Sequence, residues 1–310
     1  MKLTALRAGL PGKVISITRS AFPPRLQGGV SSRLAREVRS MANAEAATLA
    51  RVLERVREGQ PVVHAITNWV TASDVANVLE AIGARPILAI APEEVVEIVS
   101  RADSLMLNLG TPTSERLKAM ALAGQQANRL QKPVTLDPVG AGASAFRDDL
   151  LQRLLSDLRV HVIRGNRAEI GALAGVGGRL RGVTAVEGPP DIGRAAREVC
   201  LRTGAVVAVS GERDLIVGKG GSMEVRNGHP WMGRVTGMGC MATAMIAAFL
   251  AVEKDPMIGA LAALACFGLA GEHAGRGAAG PGTFKPALLD ALSLMNPRDI
   301  EESARLEEAK

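Results

Sequence analysis

The sequence predicts an α/β fold in which a mainly parallel central sheet is flanked by helices. From Met41 onward, helical patterns alternate with short runs rich in Val, Ile and Leu that end in turn residues. Polar residues stand at the ends of most of these runs, and parallel sheets bind ligands at the carboxyl ends of their strands. Because no repeat or linker interrupts the pattern, residues 41–310 are predicted to form a single domain.

The strands and helices follow in order along the chain. Six strands are predicted: "PVVHAI", "PILAI", "LMLNLG", "PVTLD", "VHVIRG" and "AVVAVSG". The helices between the first of them include "DVANVLEAIG", "PEEVVEIVSRA", "ERLKAMALAGQQANRLQ" and "FRDDLLQRLLSDL". After Gly211 the short runs "DLIVGK" and "SMEVRNG" predict a hairpin at the sheet edge. Two apolar runs, 241–252 and 257–270, are predicted to be buried helices, because neither reaches the roughly 20 residues that cross a bilayer.

The positive charge of the chain is concentrated at its amino end. The formal net charge is +6, and residues 1–40 alone hold eight Lys and Arg against one Glu. The rest of the chain is therefore almost neutral, and no basic face is expected on the fold. Aromatic residues make up only 2% of the sequence and there is no Tyr, so platforms for base stacking are scarce. These features argue against nucleic acid as a partner.

Residues 1–40 are predicted to be a basic, disordered extension. The segment is rich in Arg and Ser, poor in acids and broken by "GLPGK", "FPPR" and "GG". The same composition fits an organelle transit peptide or an upstream start used in place of Met41, and these alternatives stay open. Three widely spaced cysteines form neither a disulfide framework nor a zinc spacing. The body of the protein is therefore expected to be cytoplasmic, without a membrane partner.

Five predicted strands end in polar residues that are expected to share one crevice. Since the carboxyl ends of parallel strands meet at one edge of the sheet, these side chains should lie close together. They are Asn68 after "HAIT", Gly110 and Thr111 after "LMLNL", Asp137 in "VTLD", Arg164, Asn166 and Glu169 in "VIRGNRAE", and Ser210 in "VAVSG".

Asp137 and Glu169 are candidates for a shared Mg²⁺ site. The ion takes one or two carboxylates together with water and phosphate oxygens, which suits two acids at neighbouring strand ends. Alternatively, Glu169 caps its helix and Asp137 holds its turn. Arg164 offers a planar fork for phosphate, or else it pairs with Glu169.

Neither of the familiar glycine-rich nucleotide motifs is convincing here. No stretch matches the P-loop pattern GxxxxGK[ST]. "GAGASA" fits the dinucleotide fingerprint only loosely, because Pro138 and Val139 separate it from the strand. A dehydrogenase is therefore a weak alternative, and a plain turn is favoured for these glycines.

Cys240 stands at a predicted helix start, in "TGMGC". The glycines leave backbone N–H groups bare for an anion, and the helix dipole is expected to lower the pKa of a thiol placed there. The alternative is a small apolar filler. Cys200 and Cys266 lie within predicted helices and are expected in the core.

Taken as an ordered set, these motifs resemble the hydroxyethylthiazole kinase family. The resemblance rests on "VHAITNWV", "LNLGT", "LDPVGAGAS", "IRGNRAEI", "VSGERD" and "TGMGC", and runs from about Ala44 to "GPGTF" and beyond. It implies a ribokinase-like fold and Mg²⁺-dependent transfer of the ATP γ-phosphate to 4-methyl-5-(2-hydroxyethyl)thiazole in thiamine salvage. It also implies a homotrimer with thiazole sites between subunits.

The resemblance assigns a role to each candidate residue. Cys240 looks like the catalytic cysteine, and Asp137 and Glu169 look like the acidic pair near the metal. The residues assigned to ATP are Arg164, Ser210 and Asn166, and those assigned to the substrate are Leu88, Gly237 and Asn68.

Three positions depart from the pattern of the family. Ser210 replaces Thr and keeps the hydroxyl, Leu88 replaces a frequent Met, and Met238 replaces a small hydroxyl residue beside the phosphate. These changes bear on substrate fit more than on reaction type. Two rival functions stay open: another small-alcohol or ADP-dependent kinase of this fold, and a non-catalytic thiazole or nucleotide sensor.

Overall fold

The computed structural model describes residues 45–177, 179–181 and 184–309. Its described part contains one nine-stranded sheet and a separate two-stranded ribbon. The predicted extension 1–40 and the boundary at Met41 lie outside the described residues, so the division of the chain into extension and single domain stays a prediction.

The strands are numbered in chain order. They are β1 (Val62–Ile66), β2 (Arg85–Ile87), β3 (Ser104–Asn108), β4 (Val134–Asp137), β5 (Val162–Asn166), β6 (Arg179–Arg181), β7 (Thr184–Glu187), β8 (Val206–Ser210), β9 (Asp214–Gly218), β10 (Gly221–Val225) and β11 (Leu306–Glu308).

The helices are α1 (45–59), α2 (Ala72–Ile82), α3 (Val95–Arg101), α4 (Ser114–Arg129), α5 (Ala145–Asp157), α6 (Arg167–Leu173), α7 (Ile192–Thr203), α8 (Met238–Leu250), α9 (Pro256–Gly277), α10 (Pro281–Leu294) and α11 (Pro297–Ser303). A short 3-10 turn, Pro230–Arg234, precedes α8.

The sheet is parallel through its centre and antiparallel at one side. The strand order is β11-β10-β9-β8-β5-β4-β3-β1-β2. The six strands on one side are parallel to one another: β2, β1, β3, β4, β5 and β8. On the other side the pairs are antiparallel, β9 with β8, β10 with β9, and β11 with β10. The predicted α/β class with a mainly parallel sheet is confirmed.

Each face of the sheet is covered by its own layer of helices. Successive strand residues point to opposite faces, so Met106 joins the hydrophobic cluster that contains α2, α8, α9 and α10. Its neighbour Leu105 joins the cluster of α3, α4, α5, α6 and α7 on the other face. The carboxyl ends of the parallel strands therefore open between two packed layers.

The predicted elements are largely confirmed, with corrections at the sheet edge. All six predicted strands and all four predicted helices form, although the strand predicted as "PILAI" is shorter and ends at Ile87. The hairpin of β9 and β10 forms, but the prediction that it is the sheet edge is wrong. Strand β11 pairs with β10 through Met223 and Glu308 and occupies that edge.

The two predicted apolar helices are buried, and one of them is longer than its apolar run. Helix α9 has 22 residues and is long and apolar enough to cross a membrane, but 78% of its most apolar window is buried inside the protein. It packs against α8 and α10. Cys266 on α9 and Cys200 on α7 are both buried, as expected for core residues.

Candidate active site

A row of polar side chains lines the carboxyl edge of the sheet, on the face covered by α8. Asn108 at the end of β3 is in register with Asp137 at the end of β4, and Asn166 of β5 with Ser210 of β8. The expectation that these strand ends share one crevice is therefore met by the sheet topology. The amino end of α8 lies over this row.

Cys240 is the third residue of α8 and faces two asparagine side chains. The Asn108 Nδ2 donates to Cys240 Sγ at 3.3 Å, and the Asn68 Nδ2 does so at 3.4 Å. Helix α8 begins after Gly237, whose φ of 94° is in the left-handed region that favours glycine. This geometry places the thiol where the sequence predicts it, at a glycine-flanked helix start.

The expected lowering of the Cys240 pKa is wrong. Burial raises the pKa of the thiol, and the nearby charge of Asp137 raises it further. Hydrogen bonds from neighbouring side chains and the charge of Arg164 oppose this without reversing it. The sequence showed the helix start but not the depth of burial, which leaves Cys240 only 9% exposed.

Asp137 is held through one carboxylate oxygen only. Its Oδ2 accepts from the Asn108 Nδ2 at 2.8 Å and from the Thr243 Oγ1 at 3.0 Å. Its Oδ1 is buried and has no hydrogen-bond partner. Burial raises the pKa of Asp137 to about 7, while the charge of Arg164 opposes that rise and Glu169 adds to it. An orphaned buried carboxylate oxygen is suited to meet a cation.

Glu169 caps its own helix, which is the alternative considered from the sequence. Its Oε2 accepts from the Asn166 N at 2.8 Å, and the Asn166 side chain accepts from the Glu169 N at 2.9 Å. This is a capping box at the start of α6. The other oxygen, Oε1, accepts from the Gly140 N at 2.9 Å and so holds the turn after β4. Burial raises the pKa of Glu169.

The acidic pair fits Mg²⁺, with unequal contributions from its members. Asp137 offers a free oxygen, whereas each Glu169 oxygen already accepts one backbone N–H and keeps only part of its capacity. Across the described ranges, no three His, Cys, Asp or Glu side chains form a group that could hold a metal by themselves. A magnesium ion at this place would therefore need water and substrate phosphate oxygens as its remaining ligands.

Arg164 reaches from β5 to the amino end of α8. Its Nη2 donates to the Ser210 Oγ, which in turn lies 3.4 Å from the Gly165 carbonyl oxygen. A Cβ atom at Gly239 would come 2.3 Å from Arg164 Nη1. The guanidinium thus lies between the hydroxyl assigned to ATP and the bare amides of the helix. Arg164 Nε is buried and has no hydrogen-bond partner within the described structure.

Asp74 and Lys285 lie beside Gly237, in the stretch 237–239 at the start of α8, which is called the glycine loop below. A Cβ atom at Gly237 would come 2.7 Å from Asp74 Oδ2. Lys285 on α10 donates to both carboxylate oxygens of Asp74, at 2.9 and 3.0 Å. Met238, expected from the sequence to stand beside the phosphate, is only 6% exposed and packs into the core cluster. Its side chain therefore turns away from the loop.

The remaining predicted residues lie at different distances from this centre. Asn68 is within it, because it contacts Cys240, Asn108 and Thr71. Asn166 is used as the cap of α6. Leu88 is half-buried just past β2, at the far side of the sheet, and packs against the core cluster of α2 and α8. The structure does not bring its apolar side chain into the polar row.

Two residues of this site, Asn108 and Thr243, were not predicted from the sequence. Asn108 is one polar residue in the apolar run "LMLNLG", and its position at the strand end was the only available signal. Thr243 lies one turn beyond Cys240, so the spacing of three residues along a helix would have placed both on the same face.

Comparisons with known proteins identify the family of this chain. A model of the hydroxyethylthiazole kinase family matches residues 53–297. The chain belongs to this family. Two curated relatives are the hydroxyethylthiazole kinases of Desulforudis audaxviator, 47% identical over 83% of this chain and 94% of its own, and of Thermoanaerobacter pseudethanolicus, 46% identical over 83% and 98%.

Solved structures of known kinases have a similar fold. Among them is the hydroxyethylthiazole kinase protein of Pyrococcus horikoshii, with a TM-score of 0.77, 37% identity and coverage of 84% of this chain and 99% of that one. The pyridoxal kinase of Staphylococcus aureus in complex with AMP-PCP and pyridoxal has a TM-score of 0.52 at 15% identity, over 68% and 87% of the two chains. That second likeness concerns the fold alone, and the predicted ribokinase-like class is confirmed.

Proposed function

We propose that this member of the family transfers the γ-phosphate of ATP to the hydroxyl of 4-methyl-5-(2-hydroxyethyl)thiazole, in thiamine salvage. The observation that carries the proposal is the placement of Cys240, Asp137 and Arg164 around the bare amino end of α8. The family match supports the reaction and the acceptor alcohol. Phosphoryl transfer depends mainly on positioning and charge neutralisation, and these residues supply both.

The phosphate side of the reaction belongs to the glycine loop and Arg164. The first backbone N–H groups of α8 are not used within the helix and would donate to the incoming γ-phosphate. Arg164, assigned with Ser210 to ATP, neutralises charge on the transferring group. Asn166 supports the same edge through the cap of α6, next to β5.

The alcohol side belongs to Cys240 and Asn68. We assign Cys240 to the substrate hydroxyl, which it orients; in its thiolate form it accepts the hydroxyl proton while the new O–P bond forms and the bond from the γ-phosphorus to the ADP oxygen breaks. Asn68 fixes the sulfur and lines the substrate side. Gly237 is assigned to the substrate side, where it starts α8 with the Asp74 carboxylate beside it, and Leu88 contributes an apolar wall further out.

Asp137 and Glu169 would hold Mg²⁺ together with the phosphates of ATP. The ion supplies charge neutralisation on the phosphate oxygens. Asp137 contributes its free Oδ1, and Glu169 keeps the Gly140 turn in place while facing the same region.

An ADP-release assay tests this function directly. With ATP and Mg²⁺, ADP is expected only when the thiazole alcohol is added. Turnover with another alcohol and none with the thiazole would favour a different small-alcohol kinase. Binding of both ligands without turnover would favour a sensor, and equal ADP release with water or sugars would overturn the proposal.

A homotrimer in the cytoplasm is the proposed setting. Trp69 and Val70 directly follow Asn68 and are 66% and 65% exposed, which leaves an apolar surface beside the substrate side. A neighbouring subunit would cover it and complete the site. The three cysteines are free, in keeping with a reducing compartment. Light scattering on the purified protein measures the subunit number.

A further inference from the structure

Asn108 contacts both the proposed metal ligand Asp137 and the proposed catalytic residue Cys240. It is fully buried at the end of β3. Its Nδ2 lies 2.8 Å from Asp137 Oδ2, on the metal side, and 3.3 Å from Cys240 Sγ, on the alcohol side. The two hydrogens of one amide group are therefore divided between the proposed metal ligand and the proposed catalytic thiol.

The orientation of this amide is fixed by the backbone. Asn108 Oδ1 accepts from the Gly110 N at 2.9 Å, and a backbone N–H can only donate. A flipped amide would set its NH₂ group against that donor. The NH₂ group of Asn108 must consequently face Asp137 and Cys240.

Asn68 is fixed in the same way and completes the arrangement. Its Oδ1 accepts from the Thr71 N at 3.1 Å, so its Nδ2 faces Cys240 Sγ and Asn108 Oδ1, the latter at 3.0 Å. Both amide NH₂ groups therefore face Cys240 Sγ whatever its protonation state. Asn68 divides its two hydrogens among three acceptors, because Thr71 Oγ1 lies 2.9 Å from the same Nδ2, so Asn108 is the more dependable donor to the sulfur. An amide donor favours negative charge on sulfur.

We propose that Asn108 is the positioning residue that ties Cys240 to Asp137. Its amide donates to Cys240 Sγ and thereby orients the sulfur. It also donates to Asp137 Oδ2, so that Oδ1 stays free for the metal. One side chain thus positions a residue on each side of the phosphoryl transfer. The inference rests on the proposed function of the site, and it adds a residue to which no role was assigned.

Thr243→Val provides the matched comparison for Asn108→Ser. Both side chains are fully buried and both donate to Asp137 Oδ2, but only Asn108 also donates to Cys240. Each variant removes one hydrogen bond from Asp137, so both should weaken Mg²⁺-dependent ADP binding in calorimetry, by about three- to tenfold. Only Asn108→Ser should change the alcohol side.

The effect of each variant on Cys240 is measured by the rate at which the thiol is alkylated and by kcat in the kinase assay. At fixed neutral pH, Asn108→Ser should slow the reaction of Cys240 with iodoacetamide by about threefold or more, since the sulfur loses a donor, whereas Thr243→Val should leave it unchanged. Simple loosening of the site would make the alkylation faster instead. In the kinase assay, Asn108→Ser should lower kcat more than Thr243→Val does.

The outcomes separate this inference from the proposed function. A parent protein that binds Mg²⁺ and ADP but does not phosphorylate the alcohol would overturn the function, while calorimetry and alkylation still decide the role of Asn108. Equal behaviour of the two variants, or faster alkylation in Asn108→Ser, would overturn the inference. If Asn108→Ser is insoluble, Asn108→Leu removes both N–H donors at similar volume without adding a charge beside Asp137, and the same alkylation result is expected of it.

Discussion

Gly239 lies directly against the guanidinium of Arg164, across the amino end of α8. An added Cβ atom would stand 2.3 Å from Nη1 and 3.1 Å from Cζ. The neighbouring atoms belong to the end of a flexible side chain, so a methyl group there would displace Arg164 more readily than it would disrupt the fold. The contact makes the second glycine of "TGMGC" a determinant of where the arginine points.

Gly239→Ala is expected to weaken ATP binding while the protein stays folded. Displacement of Arg164 removes a charged hydrogen bond to phosphate, so the KM for ATP should rise by roughly tenfold. Steady-state kinetics and a melting curve measure the two effects. Gly233→Ala is the control, because no atom lies within 4 Å of its added Cβ. An unchanged KM would show that Arg164 does not contact the nucleotide.

Cys240→Ala and Cys240→Asp are expected to differ in activity. Loss of the thiol should reduce kcat by roughly 10²-fold if it takes the hydroxyl proton. Aspartate should keep activity or raise it, because the amides of Asn68 and Asn108 that face the sulfur can donate to a carboxylate. The aspartate variant should also depend less on pH in the neutral to mildly alkaline range, since burial raises the pKa of the thiol.

These two variants also distinguish catalysis from simple packing. If Cys240 only fills space, alanine would be nearly harmless and aspartate would reduce both the melting temperature and the rate. Parental turnover in Cys240→Ala would end the catalytic interpretation.

Substitution of the two acids is expected to separate metal binding from stability. Asp137→Ala should raise the Mg²⁺ concentration for half-maximal rate with little loss of stability, because only Oδ2 is engaged in the protein. Glu169→Gln turns one NH₂ group against a backbone N–H, so it should destabilise the protein by about 1–3 kcal/mol. Magnesium titrations and urea unfolding measure these effects. An unaltered magnesium dependence in Asp137→Ala would remove that residue from the metal site.

The contribution of Asp137 to the stability of the magnesium-free protein is expected to fall as the pH rises from about 4 to about 7. Burial raises the pKa of Asp137 from 3.8 to about 7, so folding favours its protonated form. That contribution is complete below the unfolded pKa and is lost as the pH passes through the folded one. Asp137→Asn should flatten the dependence in urea unfolding at several pH values. Asp214, whose pKa burial raises to about 6, and Glu169, whose pKa burial also raises, are present in both proteins, so the difference between them reports Asp137 together with its charge interaction with Glu169.

Deletion of residues 1–40 is expected to leave activity and melting temperature nearly unchanged. A basic segment broken by Pro and Gly buries little apolar surface. Melting curves and the kinase assay on the truncated and full chains test this. A large loss of soluble protein after truncation would show that the segment packs on the body.

The sequence predicted the strands that end at the site but not the contacts between them. Runs such as "PVTLD" combine β-branched residues with a turn, and that signal is local. Strands β6 and β11 have three residues each, too short for any alternation to show. The raised pKa of Cys240 depends on burial and on Asp137, a residue far away in the chain. Asn108 acquires its importance only when β3, β4 and α8 come together, so no local pattern could reveal it.

Strand β11, at residues 306–308, joins the sheet and covers β10. During synthesis β10 leaves the ribosome about eighty residues before its partner, so its outer edge stays unpaired until translation of this segment is complete. A chain that stops before Leu306 would keep that edge open for good and would offer it to the same edge of another copy.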